Sequence, residues 1–488
     1  MTDQRDLPEL GFLALCRYAW RQLTSMRTAL ILLMLMGIAA IPGSLIPQRP
    51  ANPMAVRDFF KVNPELARWY ERASLFDVYA SPWFSAIYIL LFISLIGCVL
   101  PRSVEHYKAM LAKPPATPKN LSRLSHYENF ATTPDALDRA SSWFSKNRFR
   151  VRVEENSLSA EKGYLRETGN LLFHLSLILI LIGVSFGSLF GMNGYAIVNV
   201  GERFINVPTT YDTLSFGKLK GDNSLQPFQI KVDKFLAKYD PKTSAPLDYT
   251  AWVTVTDEGK TSKQTIKVNK PLTFGNARVY LQANGYSPVV TVRDANQNVV
   301  FQGPVPFLPQ DGNLRSIGAI KVPDVQPSIG FVASFVPTNA RTTSQGAISI
   351  YPELLDPKLL FSIWEGDLGL DSGVPQSVYK IDTTNLKQIG LGSVKPGDTY
   401  NYSGGSITLE TVIPWVNLQV VQDPGKSYAL IGAILAITGL LTSLYGRRRR
   451  IWIRVTDSGI EVAGLAKNSA PGLEVEVSKF VSYVKGEQ

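Results

Sequence analysis

Leu171-Leu-Phe-His-Leu-Ser-Leu-Ile-Leu-Ile-Leu-Ile-Gly183 is an apolar run interrupted by His174 and Ser176, and no Asp, Glu, Lys or Arg follows before Phe190. A bilayer core of about 30 Å takes about 20 such residues in helical form. Leu171–Phe190 therefore reads as a membrane span. Three further stretches have the same character: Thr28–Ile46, Trp83–Leu100 and Tyr428–Tyr445. Buried helices of a large soluble protein are the competing reading, and four uncharged runs of this length argue against it. The first run follows Arg17, Arg21 and Arg27, as the core of a signal peptide would. It is long for that role and ends in Ile41-Pro-Gly-Ser-Leu-Ile-Pro-Gln48 without a small-x-small site, so it reads as a retained anchor.

Working outward from the spans, basic residues orient the chain. Arg17, Arg21 and Arg27 precede span one, and Arg102, Lys108 and Lys113 follow span two. Lys162 and Arg166 precede span three, and Arg447-Arg-Arg-Arg450 follows span four. All fall on one side if both termini are cytoplasmic. The first outer loop is a partial exception: Arg49, Arg57, Lys61, Arg68 and Arg72 occur there beside Asp58, Glu65, Glu71 and Asp77. The expected organisation is a plasma-membrane protein with a cytoplasmic N-terminus (1–27), spans at 28–46, 83–100, 171–190 and 428–445, and a cytoplasmic tail (446–488). The connecting parts are an extracytoplasmic loop (47–82), a cytoplasmic subdomain (101–170) and a large extracytoplasmic domain (191–427). The net charge of +10 follows from this topology, so anionic lipid rather than nucleic acid is the expected partner of the basic clusters. Phe12–Met26 mixes Leu, Tyr and Trp with Arg and reads as an interfacial amphipathic helix.

Of the three histidines, His174 alone lies inside a span. An ionisable group in hydrocarbon costs about 2 kcal/mol or more unless it is satisfied, which makes it a functional candidate. Imidazole ligates metals and haem iron. The residue pattern equally permits a local bond to a neighbouring Ser or carbonyl. Ser176, two residues on, points to a different helix face and is a poor candidate to orient the ring.

The outer domain reads as all-β. Ala251–Val255 and Thr265–Val268 flank Asp257-Glu-Gly259, and Val289–Val292 and Val299–Phe301 flank Asp294–Gln297. Ile329–Phe335 and Ser406–Val412 continue the pattern, so an antiparallel sandwich is expected. This domain has no His and no Cys, which excludes a thiol, an imidazole ligand or a Ser-His-Asp triad from its own residues. Trp252, Tyr280, Tyr286, Trp364 and Trp415 are expected to be ordinary packing residues, with a groove for a flat ligand as the alternative. The cytoplasmic parts read as a small α+β unit assembled from two pieces. Tyr127–Phe130 is a strand, Pro134–Lys146 a helix with Thr133 as N-cap, and Phe149–Glu154 with Leu158–Glu161 a hairpin around Asn156. In the tail, Ile451–Val455 and Ile460–Val462 form a second hairpin before a helix at Leu473–Lys485.

Cys16 and Cys98 form no C-x-x-C or C-x-x-C-H motif, so neither a thioredoxin-like reductant nor covalent c-type haem is indicated. There is no Walker loop, and no G-x-G-x-x-G opens a helix. His106 and His126 fall in the cytoplasmic loop, where solvated or local bonding is expected.

Several strings in order resemble the ResB/CcsB family of cytochrome c biogenesis proteins (System II). They are Gly43-Ser-Leu-Ile-Pro-Gln48, Tyr79-Ala-Ser-Pro-Trp-Phe84, Cys98-Val-Leu-Pro-Arg102, Lys162-Gly-Tyr-Leu-Arg-Glu-Thr-Gly-Asn-Leu-Leu-Phe-His174, Asp423-Pro-Gly425, and the Arg run with Ile451-Trp-Ile453. The resemblance implies a subunit, non-catalytic or co-catalytic, of a cytochrome c synthase complex that carries haem b across the membrane. It implies a CcsA/ResC-type partner bearing a Trp-rich haem segment that this chain lacks, apocytochrome c as client, and a thioredoxin-like thiol reductant. It implies non-covalent, transient haem shared with the partner, with His174 as an axial ligand to the iron. Arg166 and Lys162 lie on the side suited to haem propionates, although the positive-inside rule explains both. No catalytic residue is singled out. The alternative function is a membrane-anchored extracytoplasmic binding, sensor or scaffold protein.

Overall fold

The computed structural model describes residues 11–49, 53–124, 126–221, 225–340, 348–370, 377–466 and 472–487. The first ten residues of the N-terminal segment, and the side chains of Arg57, Asp58 and Lys61, lie outside the described set. The chain forms two compact units, one of Met1–Val184 with Lys426–Gln488 and one of Ser185–Gly425.

In the first unit, α1 (Phe12–Leu23) precedes α2 (Met26–Leu45). Helices α3 (Pro53–Val62) and α4 (Pro64–Arg72) then lead to α5 (Pro82–Leu111). Helices α6 (Ala136–Lys146), α8 (Lys426–Tyr445) and α9 (Leu473–Lys485) also belong to it, as does α7 (Leu165–Phe190) up to Val184. Four of these, α2, α5, α7 and α8, are long and apolar enough to cross a membrane. Their ends have local causes. Ser25 and Ser81 cap α2 and α5 by accepting from the Thr28 and Phe84 amides, both at 3.2 Å. Pro82 occupies the first position of α5, where its missing N–H costs nothing. α5 runs on through Pro101 to Leu111, well beyond the apolar stretch. α7 begins six residues before its own apolar stretch, with Glu167 in the first turn, where the helix dipole favours a carboxylate.

The segment between α2 and α5, read from sequence as a loop, is a folded module. Val56, Ala67, Phe76 and Val78 are buried in it. Gln48 clasps its base: Nε2 donates to the Ile46 and Leu75 carbonyls at 3.0 and 2.9 Å, and Oε1 accepts from the Val78 amide at 3.0 Å. Gly43 lets the Tyr79 ring pack close to α2, because a Cβ there would lie 2.9 Å from that ring. Arg49 pairs with Glu71 at 2.6 Å and with Asp77, and Arg68 pairs with Glu65 at 2.9 Å. Much of this loop's basic charge is therefore offset locally.

The expected α+β unit is present as one five-stranded antiparallel sheet. The strand order is 126–130, 459–466, 449–456, 157–162, 150–154, so the tail hairpin is inserted between the first strand and the earlier hairpin. Helices α6 and α9 cover one face, with Phe144 and Phe480 stacked at 4.6 Å. The expected Thr133 cap is incorrect: the helix starts at Ala136, and Asp135 takes the cap position in a left-handed conformation (φ 56°) without a side-chain bond.

In the second unit, two long strands, Ala277–Asp294 and Gly405–Gln422, pair along their whole length, with bulges at Leu281/Ala283 and Val289/Val290. One end of this ribbon packs against the sheet containing 228–239, 246–257 and 260–267. The other end packs against the sheet of 316–322, 329–336, 358–365 and 387–394. The unit is thus two sandwich cores sharing one ribbon. Bulges increase local twist, which lets one ribbon serve two facing sheets. Trp415 sits at the changeover, donating Nε1 to the Tyr286 and Phe307 carbonyls, both at 3.2 Å.

Candidate functional site

The rotational setting of α7 comes from its smallest residues. Gly169, Ser176 and Gly183 recur every seven positions and are its buried residues. Gly432 and Gly439 recur likewise on α8. A Cβ on Gly169 would lie 2.6 Å from the Gly439 carbonyl, and one on Gly439 would lie 2.6 Å from the Phe173 amide. Backbones that approach this closely tolerate nothing larger, as in other small-residue helix pairs. At about 100° per residue, His174 stands roughly 140° around the helix from Gly169, away from α8.

His174 is half-buried. Its Nδ1 lies 2.7 Å from the carbonyl oxygen of Asn170, one turn earlier. A carbonyl only accepts, so Nδ1 carries a hydrogen, and in the neutral form of the ring this tautomer leaves the lone pair on Nε2. Nε2 has no hydrogen-bond partner among the described residues. An imidazole whose second nitrogen is engaged by a carbonyl, fixing the tautomer, is the state in which histidine ligates metal. Nε2 can therefore offer one donor to a metal such as haem iron. The local bond to a carbonyl that the sequence permits is present and occupies one ring nitrogen. Ser176 Oγ donates to the Phe173 carbonyl at 2.6 Å inside the α8 seam and takes no part in holding the ring.

The other residues singled out from sequence lie elsewhere. Arg166 sits eight residues before His174, about 12 Å lower along the axis at 1.5 Å per residue. Its backbone abuts Gly446, where a Cβ would lie 2.9 Å from the Arg166 amide nitrogen. Lys162 ends a sheet strand with Nζ 5.3 Å over the Phe149 ring. Cys98 donates its thiol to the Thr24 carbonyl at 2.6 Å, and Ser94 donates to Leu23 at 2.6 Å, so the α1–α2 turn docks on α5. Tyr286 and Trp415 are core residues, Trp364 donates to Ser362, and Trp252 lies beneath the Lys234 ammonium. They do not assemble a common groove. A separate groove of about 900 Å³ lies on the 316–394 sheet and includes Val332, Leu360, Leu391, Tyr379 and Tyr400. Among the described residues, no group of three or more His, Cys, Asp and Glu side chains is arranged to hold a metal.

Sequence reasoning missed an ionic node where α7, α8 and the sheet meet. The Glu161 side chain is fully buried; its carboxylate accepts from Arg448 and from Tyr164, and from Arg450 at 3.0 Å. Burial pushes the Glu161 carboxyl up, but Arg448, Tyr164 and Arg450 together hold it below the usual range. Arg448 also pairs with Glu167 at 3.0 Å, and the Glu167 carboxylate lies 3.5 Å from Nδ1 of His106. His106 Nε2 meets Thr168 Oγ1 at 2.9 Å, so the α5 extension is tied to the first turn of α7. Arg449 pairs with Glu476. The Arg run, read from sequence as a topology signal, is thus also structural. The available signal was the alternation that puts Glu161 on the same sheet face as Arg450, its direct cross-strand partner.

A model of the ResB-like family matches residues 26–478. The chain is 25% identical over 477 residues to a protein named Cytochrome c biogenesis protein CcsB from Prochlorococcus marinus, covering 95% of this chain and 97% of that relative. It is 23% identical over 466 residues to the CcsB of Synechococcus elongatus, covering 94% and 91%. It is 22% identical over 482 residues to the CcsB of Microcystis aeruginosa, covering 95% and 94%.

Proposed function

The chain belongs to the ResB-like family, and from that membership we propose that it serves cytochrome c biogenesis as a multi-pass subunit of a haem-handling complex. In this reading both termini are cytoplasmic and the β domain is extracytoplasmic. The subunit helps carry haem b across the membrane and present it to apocytochrome c, together with a CcsA/ResC-type partner. His174 would hold the haem iron through Nε2, with a second ligand coming from the partner. The single observation that carries the proposal is the His174 ring, with Nδ1–H held by the Asn170 carbonyl and Nε2 unbonded on a helix face turned from α8.

The residues of this chain perform positioning. The Asn170 carbonyl fixes the tautomer, so no proton need leave the ring when a metal arrives. The glycine seam fixes the direction in which the ring points. Haem itself supplies the vinyl carbons across which cysteine S–H bonds add, and holding it near two thiols is the contribution asked of the complex. Arg166 is the proposed propionate contact, and a thioredoxin-like reductant is the proposed source of reduced client thiols.

The test is a visible spectrum of the chain co-purified with its CcsA/ResC-type partner, as wild type and His174→Ala. A Soret band lost or shifted in the variant and restored by added imidazole is the expected result. Identical spectra and haem content in both would remove His174 from the iron.

A further inference from the structure

Helix α4 (Pro64–Arg72) has three distinct faces. Ala67 and Tyr70 turn into the small core beside Phe59 and Phe76. Glu65, Arg68 and Glu71 turn to a polar side, where they form the ion pairs described above. Leu66, Trp69 and Ala73, spaced by three and four, make one stripe along the helix and its C-terminal end. That stripe is apolar and uncovered: Leu66 is 44% and Trp69 65% exposed. Its C-terminal end is anchored at a defined place. Trp83, in the first turn of α5, donates Nε1 to the Ala73 carbonyl at 2.9 Å. The stripe therefore abuts the point where the apolar surface of α5 begins. The Arg72 guanidinium sits 5.4 Å over the Trp69 ring, and Tyr79 is exposed nearby. Aromatic rings carrying cations, next to the mouth of an apolar helix, suit the boundary between headgroups and acyl chains.

We propose that α4 is an interfacial helix whose Leu66–Trp69–Ala73 stripe is covered by membrane lipid, in the leaflet opposite the one reached by α1. The proposal rests on the reading of α5 as a membrane span. The Trp83–Ala73 bond joins the end of the stripe to the first turn of that span, which is why lipid rather than a protein is its proposed occupant. An amphipathic helix of this kind fixes the height of the module, and through Gln48 and Trp83 the outer ends of α2 and α5.

The test uses the full chain in phosphatidylcholine–phosphatidylglycerol nanodiscs with Cys16→Ser and Cys98→Ser, the latter keeping a donor to the Thr24 carbonyl. Single spin labels are placed at Leu66→Cys, Glu65→Cys and Ile437→Cys, and their relaxation by oxygen and by a water-soluble nickel chelate is measured. Ile437, 61% exposed on α8, reports the spans. The expected result is an oxygen-to-nickel ratio at Leu66 several-fold above that at Glu65 and approaching that at Ile437. Ile437 in lipid with Leu66 as nickel-accessible as Glu65 would overturn the proposal and leave the spans intact. Shielding of Leu66 from both reagents would also overturn it, since a protein would then cover the stripe. Nickel access at Ile437 would instead remove the span reading. Quenching of Trp emission by brominated lipid, compared between wild type and Trp69→Phe, checks the same contact without cysteine replacement.

Discussion

The two β structures of this chain are built by opposite routes. In the Ser185–Gly425 unit most paired strands are near in sequence: 246–257 pairs with 260–267 across Asp257-Glu-Gly259, and 329–336 pairs with 316–322. In the composite sheet, 126–130 pairs with 459–466, and 157–162 pairs with 449–456, so the whole β domain lies between partners. The difference teaches where stability is local. A hairpin closes a short loop, whereas the composite sheet must close a loop of roughly 300 residues, and loop entropy grows only as the logarithm of length. That modest cost is offset by the composite core and by the Glu161 node.

This contrast can be broken at several points. Truncation after Arg448 removes the two central strands and α9. Residues 126–162 are then expected to exchange amide hydrogens at near-unfolded rates, while protection in 228–267 and 277–294 is unchanged; loss of both would show that the units fold as one. Phe480→Ala should destabilise the composite unit by about 3–5 kcal/mol, because it empties a fully buried aromatic site. The corresponding readout is earlier denaturant-induced exposure of 150–162.

Glu161→Ala leaves Arg450 without this carboxylate and Arg448 with Glu167 alone, and should cost about 3 kcal/mol, at the lower end of the range for the core ring. The same node sets a pH response. The folded Glu161 carboxyl is held below its ordinary value near 4.3. Its contribution is therefore fully present above that value and is lost as pH falls through the lower folded-state value. Melting of the composite unit should be insensitive to this group between pH 7 and 5, then decline more steeply below about pH 4 than in Glu161→Gln. Parallel profiles for the two proteins would show that the node contributes no linkage.

The smallest effects separate two kinds of glycine. Gly439→Leu drives side-chain atoms into the α7 backbone and should cost about 1–3 kcal/mol, with a shifted His174 environment. Gly37→Ala on α2 meets nothing within 4 Å and should be neutral or stabilising by up to about 1 kcal/mol. Denaturation in mixed micelles measures both, and equal losses would remove the seam as the setter of α7.

Legibility followed the range of the interaction. The four apolar helices, the hairpins at Asp257–Gly259 and Asp294–Gln297, and α9 at Leu473–Lys485 were readable because composition, period and turn chemistry act over a few residues. The α3–α4 module was missed because its core is small and contributed by single residues from several turns, Val56, Ala67 and Phe76. Thr133 was misassigned as a cap because a left-handed Asp135 leaves no sequence pattern of its own. His174 was conspicuous as an ionisable group in an apolar run, but which nitrogen stays open depends on a carbonyl, and carbonyls are the same in every residue.

From the sequence alone came the membrane spans, the β character of the large domain, the pairing of the two polar pieces and His174 as the residue to test. Each is a property of local composition measured against water and lipid. Tertiary structure decided that small residues turn His174 away from α8, that Arg448 and Arg450 bury Glu161 between them, and that one ribbon serves two cores. These depend on which distant atoms come within hydrogen-bond or contact range, and only the folded chain brings those atoms together.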